Sequence, residues 1–294
     1  MIPLPPALED NIARIRRLVA DALRDAVVGP DADARRDAVM NAEGERWFDE
    51  TRPVRTVHSD ASMFIGGMRA LLLQTLHPLA MAGVAEHSDY KNDPWGRLQR
   101  TAEFLAATTF GTSDLAQHAV DRVNAVHRHV TGIAPDGTPY AAGDPHLLRW
   151  VHVAEVDSFL STYQAYGAGR LTPHEADGYV ADMAVIARKL GVTAPPLSVR
   201  GLRDQLNMFR PELRSTPQSR DAVHWLLVEP PLDAARRVPY AMISAAAVAT
   251  LPTWARMELR LPKLPFVDEL IARPVGGLIA WTFRWAMTVD GPVA

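Results

Sequence analysis

The chain lacks cysteine and has almost no excess of charge of either sign. Its 294 residues include 31 Lys and Arg against 34 Asp and Glu, which gives a formal net charge of -3. The absence of cysteine excludes disulfide bonds, thiolate metal sites, iron–sulfur clusters and thiol catalysis. Any metal must be held by nitrogen or oxygen ligands, and 10 histidines are enough to supply them. The near-neutral charge provides no basic surface for a nucleic-acid partner, so none is expected.

Signals for export are also missing from the N-terminal stretch MIPLPPALEDNIARIRRLVADAL, so we expect a cytoplasmic protein. The longest apolar stretch, residues 61–85, is long enough to raise the question of a membrane span. Arg69, Gln74, His77 and Pro78 interrupt it, and such residues are unfavourable in a bilayer. We therefore favour a helix buried in a globular core over a membrane span.

The sequence shows no alternation of strands and helices, which argues against Rossmann and barrel folds. Apolar residues recur at spacings of three and four, which predicts an all-α fold. The predicted helices cover residues 7–26, 31–41, 60–86, 94–110, 113–131, 145–168, 173–190, 198–207, 217–228, 233–249, 252–259 and 265–287. A Pro-Asp-Gly turn predicts a small hairpin within 132–145. We expect one compact multi-helix domain over residues 1–294, although a boundary near 192–200 is an alternative.

One histidine of the predicted 113–131 helix shares the apolar stripe of that helix. The stripe consists of Ala116, Val120, Val123, His127 and Val130. His129 lies on the opposite side, so His127 is the imidazole expected to face the core. A buried imidazole is either bonded to a backbone carbonyl or a site residue, and the spacing leaves both open.

Two further histidines lie in apolar surroundings. His152 shares a helix face with apolar residues and precedes Glu155 by one turn, a spacing that can bind a metal or form half of a di-iron site. The same pair can equally be a histidine oriented by a carboxylate. His77 stands directly before Pro78, where it either bonds carbonyls freed by the proline or serves as a ligand.

The segment RLQRT, residues 97–101, contains two arginines that flank the less polar stripe of the predicted 94–110 helix. Arg97 and Arg100 can extend to solvent. They can instead offer their planar guanidinium groups, beside the Thr101 hydroxyl, to carboxylates or bound oxygen.

Three segments in fixed order resemble the rubber oxygenase (latex clearing protein) and MpaB-type oxygenase family. They are LLLQTLHPLAMAGVAEHSDYKNDPWGRLQRTAEFLAATTFG, VNAVHRHVTG and YAAGDPHLLRWVHVAEVDSFLSTYQAYG. The resemblance covers about residues 45–260, which leaves 261–294 as a C-terminal helical extension. It implies an all-helical haem b protein in which a histidine binds the iron and an Arg-x-x-Lys-Thr helix lies on the other side.

The family motif transfers to this chain residue by residue. Arg97 and Thr101 match the motif, whereas Arg100 stands where rubber oxygenases have lysine. The resemblance therefore implies catalytic roles for these three residues and a distal side that differs from the rubber oxygenases. His127 is the best match for the iron ligand. His77 and His152 remain further candidates for cofactor binding, together with Arg97 and Arg100.

The resemblance implies a haem b-dependent oxygenase that uses dioxygen as cosubstrate on an apolar small molecule. Because export signals are missing, we expect this substrate to be intracellular. One alternative is a non-haem iron or di-iron oxidoreductase that uses His152, Glu155, His87 and Glu86. Another is a non-catalytic helical protein that binds an apolar ligand. The tryptophan-containing segment 274–287 is either a last helix packed on the core or a helix that contacts a membrane surface. The oligomeric state stays open.

Overall fold

The computed structural model describes residues 11, 13, 14, 16, 17, 20, 32–263 and 265–287. The predicted helix 7–26 therefore lies mostly outside the described residues. Within them the chain is predominantly helical, with one antiparallel hairpin in which Gly132 pairs with Tyr140. The predicted all-α fold with a small hairpin insertion is confirmed.

The helices and strands follow one another along the chain with short connections. They are α1 (Ala32–Met40), α2 (Pro53–His58), α3 (Ser62–Gln74), α4 (Pro78–His87), α5 (Pro94–Phe110), α6 (Ser113–His127), β1 (Thr131–Ile133), β2 (Pro139–Ala141), α7 (Pro145–Tyr166), α8 (Pro173–Lys189), α9 (Val199–Phe209), α10 (Pro217–Val228), α11 (Ala234–Thr250), α12 (Thr253–Glu258), α13 (Pro265–Val267) and α14 (Arg273–Met287). A 3₁₀ turn, Arg210–Glu212, follows α9, and a π turn, Asp268–Ala272, joins α13 to α14.

Side chains at the helix starts explain why several helices begin where they do. Asp93 and Asp144 accept hydrogen bonds from the first turns of α5 and α7, each directly before a proline. Thr172 and Glu175 form a reciprocal capping box at the start of α8. These residues fix the start of α5, α7 and α8, the helices that contribute most to the site described below.

The predicted helix 60–86 is divided into two helices, α3 and α4. Pro78 is the first residue of α4, and the residue before it, His77, is extended, with φ -87° and ψ 114°. The proline ring disfavours helical geometry at the preceding residue and removes a backbone donor, so α3 ends at Gln74. The single helix in this region was therefore a wrong prediction, and His77 lies at a buried junction between two helices.

The core forms where α3 packs along α7, with α11 on α3 and α8 and α9 on α7. Gly66 marks the closest approach, because a Cβ atom there would lie 2.6 Å from Cδ1 of Phe159. Fully buried aliphatic side chains of α3, including Leu72 and Leu73, fill the interface with Val153 and Val156 of α7. Burial of this apolar surface drives the assembly.

Arg69, the charged residue within the apolar stretch, is only 2% exposed. Its guanidinium donates to Ser158 Oγ at 2.7 Å, to Asp157 Oδ2 at 2.7 Å and to the Thr250 carbonyl at 3.2 Å. The buried charge is therefore paired, as a low-dielectric interior requires. The prediction of a helix buried in the core is confirmed, and no helix among the described residues has the length and apolar character to cross a bilayer.

We expect Arg69→Met to lower the free energy of unfolding by about 3 kcal/mol, because it leaves the Asp157 carboxylate without its partner. Urea unfolding monitored by circular dichroism measures the change. Arg122→Met is the control: its ion pair with Glu103 is exposed, so its loss costs about 0.5 kcal/mol. Equal stabilities for the two variants would contradict the structural role of Arg69.

Candidate functional site

Four helices, α5 to α8, enclose an apolar cavity. It is lined by Phe104, Leu105, His127, Leu148, Val151, His152, Glu155, Met183, Ile186, Ala187, Leu190 and Val192. Its volume is about 500 Å³ including the mouth. Its polar side chains are two imidazoles and one carboxyl group, which are the groups able to perform chemistry.

The two imidazoles present unsatisfied nitrogen atoms in this apolar setting. Nδ1 of His127 and Nε2 of His152 are buried without a hydrogen-bond partner. Burial lowers the pKa of both side chains, that of His152 to about 4. Both rings are therefore neutral near pH 7, the form in which imidazole binds metal ions. An unpartnered buried polar group is costly, so these two nitrogens are candidates for binding a ligand.

The helical stripe of α6 explains why His127 reaches the cavity. Ala116 and Val120 of this stripe are fully buried, and His127, at the C-terminal end of the helix, is half-buried. His129, which was predicted to lie on the opposite side, is exposed. The spacing therefore distinguished the two histidines correctly, although it could not show the cavity.

Glu155 lies one turn beyond His152, and its burial raises the pKa of its carboxyl group to about 7. The folded protein therefore binds this proton more tightly than the unfolded chain, in which the pKa is near 4.5. The stability contributed by the bound proton is complete below pH 4.5 and is lost as the pH rises to about 7.

We expect Glu155→Gln to be more stable than the wild type by up to about 3 kcal/mol at pH 8. Well below pH 4.5, where Glu155 is protonated in both states, we expect the two proteins to be equally stable. Urea unfolding of metal-free protein at the two pH values tests this. Glu103→Gln, an exposed change on α5, is the control without such a pH dependence. A pH-independent difference for Glu155→Gln would contradict the raised pKa.

The three α5 side chains predicted to be catalytic have different surroundings. Arg97 is half-buried, donates to Ser88 Oγ at 2.7 Å, and has its pKa lowered by burial. Arg100 is exposed and pairs with Asp93 at 3.1 Å. Thr101 is exposed, and its hydroxyl donates to the Arg97 carbonyl at 3.0 Å. None of the three lines the cavity, which α5 meets through Phe104 and Leu105.

His77 belongs to a second group of side chains, which we call the His77 cluster: His77, His146 and Glu212. One ligand atom from each of the three lies within 4.8 Å of the others, and among the described residues no other group of three or more His, Asp and Glu meets this condition. His77 is 3% exposed, and burial lowers its pKa. His146 and Glu212 are not predicted as site residues from the sequence, because neither lies on an apolar stripe.

The ligand set proposed for a non-haem iron site is not brought together. Glu86 accepts a hydrogen bond from the Tyr140 hydroxyl, and His87 Nε2 lies 3.1 Å from the Thr131 carbonyl oxygen. These two residues hold the hairpin against α4. His152 and Glu155 face the cavity instead. The predicted four-residue ligand set was therefore wrong, since its two pairs lie in different parts of the molecule.

The fold and cavity define a helical protein domain with neutral imidazoles in an apolar interior. Residues 55–285 match the family described as ER-bound oxygenase mpaB/B'/Rubber oxygenase, catalytic domain. The chain therefore belongs to this oxygenase family, and the matched segment includes most of α14. No curated protein and no solved structure matches the chain significantly.

Proposed function

We propose that the protein is a haem b-dependent oxygenase in which His127 ligates the iron and an apolar small molecule is oxidised with dioxygen. The observation on which this depends is the buried, unpartnered Nδ1 of His127 in an apolar cavity. Membership of an oxygenase family supports the reaction class. The family does not define the substrate, so the apolar substrate is inferred from the lining.

The residues around the cavity fit a haem on its iron-binding side. His127 is neutral near pH 7 and offers a free ring nitrogen, and the lining side chains from all four helices are mostly apolar, as a porphyrin requires. Arg97 is the half-buried cation of α5 and is the candidate partner for an anionic propionate. Arg100 is the poorer candidate, because it is paired with Asp93 in solvent.

A haem held by His127 would supply an iron able to bind and activate dioxygen. The protein's own contribution lies in its cavity residues. The apolar lining excludes water and orients an apolar substrate. The neutral His152 ring can donate a hydrogen bond, and Glu155, with a pKa near 7, can hold or release a proton at its carboxyl oxygen.

We expect wild-type protein expressed with ample haem to show a Soret band that shifts when carbon monoxide is added to the reduced protein. His127→Ala removes the ligand and should lose most of the bound haem, whereas His129→Ala, a change at an exposed histidine two residues away, should retain it. Absorption spectra and haem content per chain measure this. A colourless wild type would contradict the cofactor, and full haem in His127→Ala would contradict the ligand.

The two arginines of α5 allow a matched comparison. We expect Arg97→Ala to weaken haem binding about tenfold, because a half-buried charge-assisted bond to a propionate contributes about 1.5 kcal/mol. Arg100→Ala should change the affinity less than about twofold, since its side chain is exposed and its ion pair is weak. Titration of the apoprotein with haem gives both values. A larger loss for Arg100→Ala than for Arg97→Ala would reverse the assignment.

A further inference from the structure

Helix α7 presents polar side chains on two opposite faces. Successive residues of an α-helix are rotated by about 100°. His146 and Trp150 therefore project to one side, while Leu148, His152 and Glu155 project to the other. The second face meets the cavity and the first meets the His77 cluster. The cluster is thus separated from the proposed haem cavity by the body of α7.

The backbone on two sides of His77 is fixed by hydrogen bonds. The Trp150 indole, which is fully buried, donates to the Gln74 carbonyl at 3.3 Å, and this holds the start of α7 at the end of α3. The Arg214 amide donates to the Leu76 carbonyl at 2.9 Å, and this holds the turn containing Glu212 beside the same junction. The positions of the three cluster residues therefore follow from the core packing.

The contacts within the cluster leave one imidazole unsatisfied. His146 Nε2 lies 2.7 Å from Glu212 Oε2, a hydrogen bond that accounts for these two residues. His77 Nε2 lies 3.4 Å from the same oxygen but lacks hydrogen-bond geometry, and Nδ1 of His77 also has no partner. A hydrogen-bonded His–Glu pair alone gives no reason for a second, buried imidazole directed at the same oxygen.

We propose that His77, His146 and Glu212 bind one divalent transition-metal ion of the zinc or ferrous type. Two imidazole nitrogens and one carboxylate oxygen suit these ions, whereas calcium and magnesium prefer oxygen ligands throughout. Three protein ligands leave a further position for water. The site goes beyond the proposed function, because the haem iron is assigned to His127 on the other face of α7.

The distances allow such an ion after small side-chain adjustments. Tetrahedral ligands with bonds of about 2.1 Å lie about 3.4 Å apart. The His77–Glu212 separation of 3.4 Å meets this value, and the 2.7 Å contact of His146 lengthens when the ion replaces the bridging proton. Side chains of His146 and Glu212 are each 42% exposed, which gives the ion a route from solvent. Arg214, the nearby cation, pairs with Asp136 at 3.1 Å and leaves the carboxylate available.

The test uses the full-length protein, stripped with chelator and titrated with Co²⁺, whose visible absorption reports nitrogen and oxygen ligands. We expect one Co²⁺ per chain, displaced by one Zn²⁺. Zinc at one hundred times its Kd should raise the Tm by about 5 °C, because it binds the folded state. Metal analysis of the protein as purified, corrected for haem iron, distinguishes zinc from non-haem iron as the resident ion.

Variants at the half-exposed ligands keep the test independent of folding, since His77 itself is buried. His146→Ala and Glu212→Gln should each lose the cobalt bands and the zinc-dependent rise in Tm while retaining haem. His224→Ala is the matched control, because His224 lies beside Glu229 in an exposed pair and should leave both signals unchanged. Absence of cobalt bands in the wild type, or their persistence in both ligand variants, would overturn the proposal.

Discussion

The close packing of α3 on α7 is the contact that positions the cavity and the His77 cluster. Gly66 allows it, because any side chain there would collide with Phe159 and Thr162. The buried Arg69 then fixes how the two helices lie along each other through Asp157 and Ser158. These contacts hold one face of α7. A second face is then directed towards α8 and the cavity, and a third towards the α3–α4 junction.

A structural histidine has hydrogen-bond partners for its buried ring nitrogens, whereas a candidate ligand has a buried ring nitrogen without one. His58 is buried, and its pKa falls to about 3, yet its two ring nitrogens contact Thr109 Oγ1 at 2.8 Å and Tyr179 Oη at 3.3 Å. It belongs to the core. His127, His152 and His77 each have a buried ring nitrogen without a hydrogen-bond partner. Burial alone would group His58 with these three, whereas the missing partners identify those that can bind a ligand.

Local periodicity predicted the helices and the inward-facing side of α6, because both depend on residues a few positions apart. The division at His77 needed the effect of Pro78 on its neighbour in addition. The pairing of His146 with Glu212 could not be predicted from the sequence, because 66 residues separate them. The 3₁₀ turn that follows α9 brings them together. The surroundings of Arg100 could not be predicted either, because a side chain at the edge of an apolar stripe can point to solvent or to the interior.

The position of the iron is the sharpest test of the proposed haem site, in which the cavity enclosed by α5 to α8 would hold the haem through His127. A crystal structure of the haem-loaded protein, with anomalous diffraction recorded at the iron absorption edge, gives that position. The expected result is a haem iron peak within bonding distance of a His127 ring nitrogen, about 2 Å, on the cavity side of α7. A haem iron peak at another histidine, or a haem bound on the outer surface, would contradict the claim.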